Sequence, residues 1–479
     1  MNFNAIRKNV GVILCIEAGF MLPPLVFALF GGDAAAIRGF VAAIAALLAV
    51  GLPCALIKRG DASLNARDGC VTVAFGWIIM SLFGAIPYYA SGAIHSVSGA
   101  VFETVSGFST TGATVFADVE SVSRAILLWR SITNWLGGMG VLVFLLAIIP
   151  IAREGGAMFL LRAEFPGPMA GKLVPRMQKS AKLLYEIYMI MTVVQIILLS
   201  FAMPLFDAVN ISLTTVSTGG FAVRNDSLMS YSVYAQVVVE VFMFLCGVSF
   251  SIFYCVIARE FLRIRKNHEL RLYVIIILAA ALFMCLDCRS GFDTLGESIH
   301  HTLFNSVAVI STTAFVTVDP KLWTDFAKAI IVILMLTGPM AGSTGGGIKL
   351  SRIMIMLKST YRALARTIVP NSTHLIHQDG EIVDEDTVST VESFAIAYGF
   401  FIAVSAVLLT LEGITFGDGV SAAISAMGNV GLGIDTQIFT SGVAHMSVLG
   451  KAVLCFDMFL GRLEIFPLLI LFAPGTWRK

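Results

Sequence analysis

Long apolar runs alternate along the chain with shorter mixed segments that carry Ser, Thr or Asn next to small residues. Ten runs have about the length that a bilayer-spanning helix requires, roughly 20 residues. They lie at 10–30, 37–57, 70–90, 126–150, 183–204, 233–258, 272–288, 326–349, 391–411 and 447–472. We predict ten spans, the eighth of them interrupted. Four shorter segments follow spans three, five, seven and nine, and these are predicted to enter the bilayer and return.

The composition agrees with this pattern. Hydrophobic residues make up 57% of the chain and charged residues 13%, against roughly 25% charged in a soluble domain. The net charge of +1 and the lack of a Lys/Arg run argue against a nucleic-acid ligand. Cys285 and Cys288 form a lone C-x-x-C without a second pair of metal ligands. The chain is therefore predicted to be an all-α polytopic membrane protein.

The four short segments share a hydroxyl or amide residue followed by glycine or alanine. Each stands between two hydrophobic helices, so the chain contains four copies of one helix, pore loop and helix unit. Such loops around a pseudo-fourfold axis can offer backbone carbonyls to a dehydrated cation. The predicted K⁺-binding residues are Thr110, Thr111, Gly112, Ser217, Thr218, Gly219, Thr312, Thr313, Ala314, Asn429, Val430 and Gly431.

The repeat predicts the domain organisation and the orientation of the chain. Most lysines and arginines fall in loops on one side if the N-terminus is cytoplasmic, which also makes the C-terminus cytoplasmic. The four short segments then approach from outside, and the expected location is a bacterial-type plasma membrane. The predicted units are a two-helix N-terminal element 1–69, repeat 1 with a cytosolic linker 70–182, repeat 2 183–271, repeat 3 272–390 and repeat 4 391–479.

The eighth run is broken by glycine and proline. Its apolar stretch ends at Thr337 before Gly338 and Pro339, and residues 340–347, here called the glycine-rich segment, follow. Non-helical backbone at membrane depth is allowed only where it is buried in protein or lines a wet cavity. We predict that this segment lies beneath the ion-binding residues and obstructs the pore; the alternative is a kinked helix packed through its glycines. The predicted gating residues are Gly342, Ser343, Thr344, Gly345, Gly346 and Gly347.

Arg462 lies within the last apolar run. A guanidinium at that depth is costly unless it faces water or an acid, so Arg462 is a functional candidate. A structural ion pair with Glu17, Glu240 or Asp457 is the alternative. Glu464 is only two positions away and would face elsewhere on a helix.

Several motifs, in this order and spacing, resemble the Trk/Ktr/HKT superfamily of potassium transporters. They are STTGAT at 109–114, STGGF at 217–221, STTAF at 311–315, GSTGGGIK at 342–349, NVGLG at 429–433 and GRLEIF at 461–466. The TrkH branch is indicated by the two extra N-terminal helices, by RAEFPGP at 162–168 and by KLVPR at 172–176.

The resemblance implies a channel-like potassium-uptake subunit in a homodimer, with one pore in each protomer. It also implies gating by a cytosolic nucleotide-binding partner of the TrkA type, and it puts Arg462 on the pore side near the glycine-rich segment. K⁺ is expected as the transported ion, without another cofactor on this chain, because the nucleotide belongs to the partner.

Ala314 departs from the pattern, which has glycine at this position. If the position requires a positive φ, alanine costs roughly 1–2 kcal/mol and could weaken discrimination between potassium and sodium. If the backbone has an ordinary φ there, the alanine is harmless.

Charged residues outside the spans suggest two further roles. Two basic stretches, 151–182 and 358–388, are candidate docking surfaces for the partner, although positive-inside charge also explains them. Acids near the four segments could concentrate cations at the outer mouth through their summed field. They are Asp118, Glu120, Asp226, Asp319, Asp325 and Asp435.

Two other classes of protein are weighed against a channel-like subunit. An intramembrane protease is disfavoured, because Gly247-Val248-Ser249 lacks a histidine placed in an apolar helix. A symporter coupled to H⁺ or Na⁺, or a less selective Na⁺/K⁺ permease, is the alternative to channel-like potassium permeation. The membrane potential alone, about 2.3 kcal/mol per 100 mV, suffices to accumulate K⁺.

Overall fold

The computed structural model describes residues 1–57, 66–140, 177–369, 375–379, 381–431 and 443–477. Among these residues the structure is mostly helical, which confirms the predicted all-α class. Six of the described helices are long and apolar enough to cross a membrane, or seven if one pair bent by 94° counts as a span. The chain therefore has the architecture of a multi-pass membrane protein.

The N-terminal element consists of helices Phe3–Phe20, Leu22–Gly31 and Ala34–Ala55. The first and third pack closely at Gly11, where a Cβ atom would lie 2.6 Å from the Cβ of Cys54. Glycine is needed here because the backbones of the two helices approach each other too closely for a side chain.

Each repeat contains a long first helix, a short pore helix and a second helix. The first helices are Ala66–Gly84, extended by Ile86–Ala90, then Met177–Leu199, His268–Cys288 and Glu385–Thr410. The pore helices are Val97–Phe108, Leu205–Val216, Leu295–Ile310 and Phe416–Met427. The second helices are Arg124–Met139, Val233–Gly247, Asp325–Thr337 and Val448–Arg462.

All four second helices end early. The longest has 16 residues, about 24 Å at 1.5 Å per residue, which is short of a bilayer core of about 30 Å. The second repeat breaks at Val248, where the following helix Phe250–Ile257 turns away by 94°. In the last repeat the second helix ends at Arg462, and Glu464 and Ile465 after it have φ of +55° and +64°. The predicted spans 233–258 and 447–472 are therefore broken and are not continuous helices; apolar residues continue past each break, so the hydropathy pattern does not reveal it.

The remaining described elements are not part of the pattern of first helix, pore helix and second helix. They are helices Phe261–Lys266, Leu350–Ile368, Val443–His445, Phe466–Leu469 and Pro474–Trp477, the 3₁₀ turns Arg289–Gly291 and Pro320–Leu322, and two strands, β1 His377–Gln378 and β2 Glu381–Ile382. The strands pair antiparallel, with His377 opposite Ile382.

Apolar packing surrounds the ends of the pore helices. One buried cluster joins the N-terminal element to repeats 1 and 4, and another is formed mainly by repeats 2 and 3. Hydroxyl and amide side chains are buried where the pore helices end, among them Thr111, Thr215, Thr313 and Asn429. The fold thus collects buried polar groups at the centre of the repeats.

Candidate ion-binding site

The segments that follow the four pore helices share one backbone hydrogen-bond pattern. Thr111 and Gly112 both donate their amides to the carbonyl of Ser106, at 2.9 and 3.4 Å. The equivalent bonds run from Gly219 and Gly220 to Thr214, from Thr313 and Ala314 to Ala308, and from Val430 and Gly431 to the carbonyl and hydroxyl oxygens of Ser425.

These bonds define three matched positions in every repeat, here called the central segments: 110–112, 218–220, 312–314 and 429–431. The first and third positions of all four have positive φ, and the second does not. The first-position angles are +58°, +57°, +62° and +52° at Thr110, Thr218, Thr312 and Asn429. The third-position angles are +79°, +66°, +61° and +83° at Gly112, Gly220, Ala314 and Gly431.

The second repeat is shifted by one residue relative to the sequence-based alignment. Gly220, not Gly219, holds the third position, and Ser217 caps the pore helix as Ser109 does in repeat 1. Gly219 is needed for a different reason, since a Cβ there would lie 2.6 Å from the Cγ of Asn134. Two adjacent glycines with different roles made the register ambiguous from sequence.

The central segments are arranged as a ring, in which three contacts between neighbouring segments are defined by glycine. A Cβ on Gly112 would overlap the carbonyl oxygen of Gly219, and one on Gly220 would overlap that of Thr313. A Cβ on Gly431 would overlap the carbonyl of Thr111, which returns the ring to the first segment. The three glycines at the third position thus each lie against the second-position carbonyl of the next segment, which is consistent with a pseudo-fourfold arrangement.

Ala314 holds the third position of the third segment with φ of +61°. This is the left-handed region, where a Cβ costs roughly 1–2 kcal/mol. The condition under which alanine is strained is therefore met. At the third position, the ring accordingly has three glycines and one strained alanine.

The glycine-rich segment lies directly below this ring. The amide of Gly346 donates to the hydroxyl of Thr312 at 3.0 Å, and the hydroxyl of Thr344 donates to the carbonyl of Val216, the last residue of the second pore helix, at 3.3 Å. A Cβ on Gly345 would lie 2.8 Å from the carbonyl oxygen of Ser311. The segment thus contacts the third central segment and the end of the second pore helix, and its backbone is non-helical.

Arg462 contacts the glycine-rich segment from the end of the last second helix. It donates to the carbonyl of Thr344 at 2.9 Å and to that of Gly138 at 2.9 Å, and also to the carbonyl of Gly137. The guanidinium therefore joins repeat 1, repeat 3 and repeat 4. Asp457, one of the three acids considered from the sequence as an ion-pair partner of Arg462, accepts a hydrogen bond from Ser405 at 2.7 Å.

Two carboxylates missed by the sequence interpretation hold this region. Glu269 accepts from the amide of Ala341 at 2.7 Å and from that of Ser351 at 3.1 Å, so it ties together both ends of the glycine-rich segment. Glu464 pairs with Arg352, which follows the segment. The sequence signal for Glu269 was an acid in the first turn of an apolar helix, a feature that does not identify a functional site without the fold.

The sequence interpretation also missed a buried ion pair next to the first two central segments. Glu103 and Arg130 form a buried ion pair, with Oε1 and Nε 2.6 Å apart. Both residues stand in apolar helices, and a charge in such a position is a functional candidate by default. That rule, applied to Arg462, would also have found this pair.

Four of the six acids near the central segments have local partners. Asp118 accepts a hydrogen bond from the Asn225 side chain at 2.7 Å, which lowers the pKa of its carboxyl below the ordinary value. Glu120 accepts from the Asn225 amide at 3.2 Å, so these two acids join the outer loops of repeats 1 and 2. Asp319 caps a 3₁₀ turn, Asp325 pairs with Lys328, and Asp435 lies outside the described residues.

Most of the first basic stretch, 151–182, also lies outside the described residues. In the second stretch, Lys358 donates to the carbonyl of His377 at 2.6 Å, and Arg362 pairs with Glu385. These bonds hold helix Leu350–Ile368 against the strands and the first helix of repeat 4. Docking of a partner on either stretch stays a prediction.

Comparison with known proteins covers the whole chain. A family model described as TrkH, cation transport protein, matches residues 36–478. The Trk system potassium uptake proteins TrkH of Salmonella typhimurium and Escherichia coli are 30% and 31% identical to it, over 100% of both chains in each case. TrkH of Halomonas elongata is 32% identical, also over 100% of both chains.

A solved structure gives the same result for the fold. The crystal structure of the potassium transporter TrkH from Vibrio parahaemolyticus matches with a TM-score of 0.88 and 29% identity, covering 100% of each chain. These relatives are named as transporters, which confirms the prediction that the chain is not an enzyme. The chain belongs to the TrkH family of cation transport proteins.

Proposed function

We propose that this chain is the pore-forming subunit of a potassium uptake system and that the ring of central segments is its selectivity filter. The observation that carries the proposal is the ring in which Gly112, Gly220 and Gly431 each lie against a carbonyl of the next segment. Alternating left-handed residues occur in all four segments. Such a ring concentrates backbone carbonyls around one axis, which is the chemistry that replaces the water shell of K⁺.

The pore helices contribute to the same electrostatics. Their carboxyl ends carry a partial negative charge, and they end at Phe108, Val216, Ile310 and Met427, next to the ring. In repeats 1 and 4, a glycine of the second helix leaves space for the last carbonyl of the pore helix. A Cβ on Gly137 would overlap the carbonyl of Phe108, and a Cβ on Gly461 would overlap the carbonyl of Met427. A cation leaving the filter thus meets a favourable field.

The glycine-rich segment and Arg462 are proposed as the gate. The segment lies across the inner side of the ring, and Arg462 adds a positive charge where a cation would pass. Hydrogen bonds to several parts of the fold hold the segment, among them bonds with Glu269, with Thr312 of the proposed filter, with Val216 of a pore helix and with Arg462. Opening requires that these contacts be exchanged for others.

The setting expected for this subunit follows from the family. We propose that it resides in a bacterial inner membrane with both termini in the cytoplasm, and that it forms a homodimer regulated by a cytosolic nucleotide-binding protein of the TrkA type. The relatives named as Trk system proteins support this assignment. The positive-inside distribution of lysine and arginine supports the orientation.

The test is a measurement of reversal potential. Purified chain in liposomes is exposed in turn to gradients of K⁺, Na⁺ and H⁺, with protein-free liposomes as the control. We expect the reversal potential to follow the K⁺ gradient and to be insensitive to pH and Na⁺. A shift with the proton or sodium gradient would indicate coupled symport instead, and a zero potential with K⁺ opposed to Na⁺ would indicate a non-selective permease.

A further inference from the structure

The buried ion pair of Glu103 and Arg130 connects two neighbouring central segments. On the side of the first segment, the Glu103 carboxylate accepts from the amide of Val115 at 2.8 Å and from the hydroxyl of Thr114 at 2.9 Å. These two residues follow Gly112 closely, so Glu103 holds the outer end of the first segment.

On the side of the second segment, Arg130 makes two contacts. Its Nη1 donates to the carbonyl of Ala222 at 2.8 Å, and its guanidinium lies 3.6 Å from the centroid of the Phe221 ring. Phe221 directly follows Gly220. The planar guanidinium thus binds a carboxylate at its edge and an aromatic ring at its face, a combination that lysine cannot reproduce.

The same helix contacts the second segment at successive turns. Asn134 lies against Gly219, and a Cβ on Gly138 would lie 2.7 Å from the Cα of Ser217. Arg130, Asn134 and Gly138 are spaced four residues apart and therefore share one helix face. The second segment lies along this face, with Arg130 at its outer end.

The pair exists in one repeat only. By the matched hydrogen bonds of the central segments, the positions equivalent to Glu103 are Ile211, Asn305 and Ala422, and none of these is an acid. In the other three repeats, no acid at the equivalent position can form such a bridge to the next segment. A buried charge pair at a single site is costly to form and strongly destabilising if one partner is lost.

We propose that Arg130, oriented by Glu103, is a positioning residue that sets the separation of the first and second central segments and thereby the selectivity of the ring among monovalent cations. This inference rests on the proposed function of the ring as a filter. It assigns to repeat 1 a specificity role that the other repeats lack. Weakening the bridge lets the two segments separate or approach, so that carbonyls no longer match K⁺ better than Na⁺.

The test compares K⁺ to Na⁺ permeability ratios of three variants in liposomes. Arg130→Lys keeps the charge and removes the planar fork. Glu103→Gln combined with Arg130→Gln removes both charges, so that no charge is left buried alone. Arg224→Gln is the matched control, because Arg224 is a partly exposed arginine two residues after Ala222 that pairs with Asp207 at 3.9 Å.

We expect both Arg130 variants to retain K⁺ flux and to lose at least about tenfold in permeability ratio, as the loss of a hydrogen bond to a charged group predicts. Arg224→Gln should keep the ratio of the unmodified protein. Unchanged ratios in folded Arg130 variants would overturn the inference. It would also be overturned if both Arg130 variants fail to assemble while Arg224→Gln assembles, because the pair would then serve folding alone. An unmodified protein without potassium preference would instead refute the proposed function.

Discussion

The guanidinium of Arg462 donates a hydrogen bond to the carbonyl oxygen of Thr344 at 2.9 Å, and thereby joins the second helix of repeat 4 to the glycine-rich segment of repeat 3. The same guanidinium binds the carbonyls of Gly137 and Gly138 at the end of a helix of repeat 1. A single side chain of repeat 4 thus contacts both repeat 1 and repeat 3. If the segment moves, Arg462 must give up at least one of these carbonyls.

The first prediction concerns this contact. Arg462→Gln, or deletion of Gly345 and Gly346, should raise basal K⁺ flux into liposomes that lack any cytosolic partner. Both changes remove an obstruction and keep every residue of the central segments, and the two effects should be less than additive because the residues share one network. Arg366→Gln, at an exposed position on the helix that follows the segment, is the control and should leave the flux unchanged. Basal flux at the unmodified level in folded variants would leave the segment a packing feature.

The second prediction concerns the third position of the ring. Gly112→Ser, Gly220→Ser and Gly431→Ser should each reduce the K⁺ to Na⁺ permeability ratio, because a Cβ would overlap a carbonyl of the next segment and the φ is left-handed. The strain alone is roughly 1–2 kcal/mol. Gly417→Ala, on a pore helix with open space around the added atom, should keep the ratio. Normal ratios in all three serine variants would refute the filter assignment.

The third prediction concerns Ala314. Ala314→Gly should raise the thermal stability, since removing a Cβ at φ of +61° relieves up to roughly 1–2 kcal/mol, and it should increase the potassium preference or the flux. Ala113→Gly, at a buried alanine without positive φ, should lower the stability instead. Equal destabilisation by both changes would show that Ala314 is not strained, and loss of transport in Ala314→Gly would show that the alanine is required.

The fourth prediction separates the two glycines of the second repeat. Gly219→Ala should destabilise the protein by roughly 1–3 kcal/mol through overpacking against Asn134. Combining it with Asn134→Ala should recover part of that loss, a coupling measurable as a non-additive shift in thermal unfolding. Gly220→Ala should show no such recovery, because its clash is with the carbonyl of Thr313. Additive effects at Gly219 and Asn134 would contradict the steric explanation.

Much of the fold could be predicted because it depends on local composition. Apolar length identified the chain as a multi-pass membrane protein, and the four hydroxyl-rich segments identified the repeat. Gly338 and Pro339 marked the break before the glycine-rich segment, since neither residue continues a helix. The breaks after Gly247 and Arg462 were missed because apolar residues continue on both sides of them.

The sequence located the four central segments, but it misaligned the second of them by one residue. Hydroxyl and glycine residues located the central segments, but the role of two neighbouring glycines depends on what faces each of them. Asn134 faces Gly219, and the carbonyl of Thr313 faces Gly220. Both contacts involve other helices or another repeat, so no property of residues 217–221 alone distinguishes them.

The sequence by itself determined the membrane class, the four repeats, the interruption in repeat 3 and the presence of a costly arginine at Arg462, because each of these is a property of neighbouring residues and their hydrophobicity. Only the tertiary structure decided which carbonyls Arg462 binds, that Ala314 is in the left-handed region, and that Glu103 and Arg130 form a buried pair. The Arg462 contacts arise where separate repeats meet, and the Glu103–Arg130 pair arises where two helices of repeat 1 pack together. Their energies depend on distances between atoms that are far apart in the chain, which spacing along the sequence does not encode.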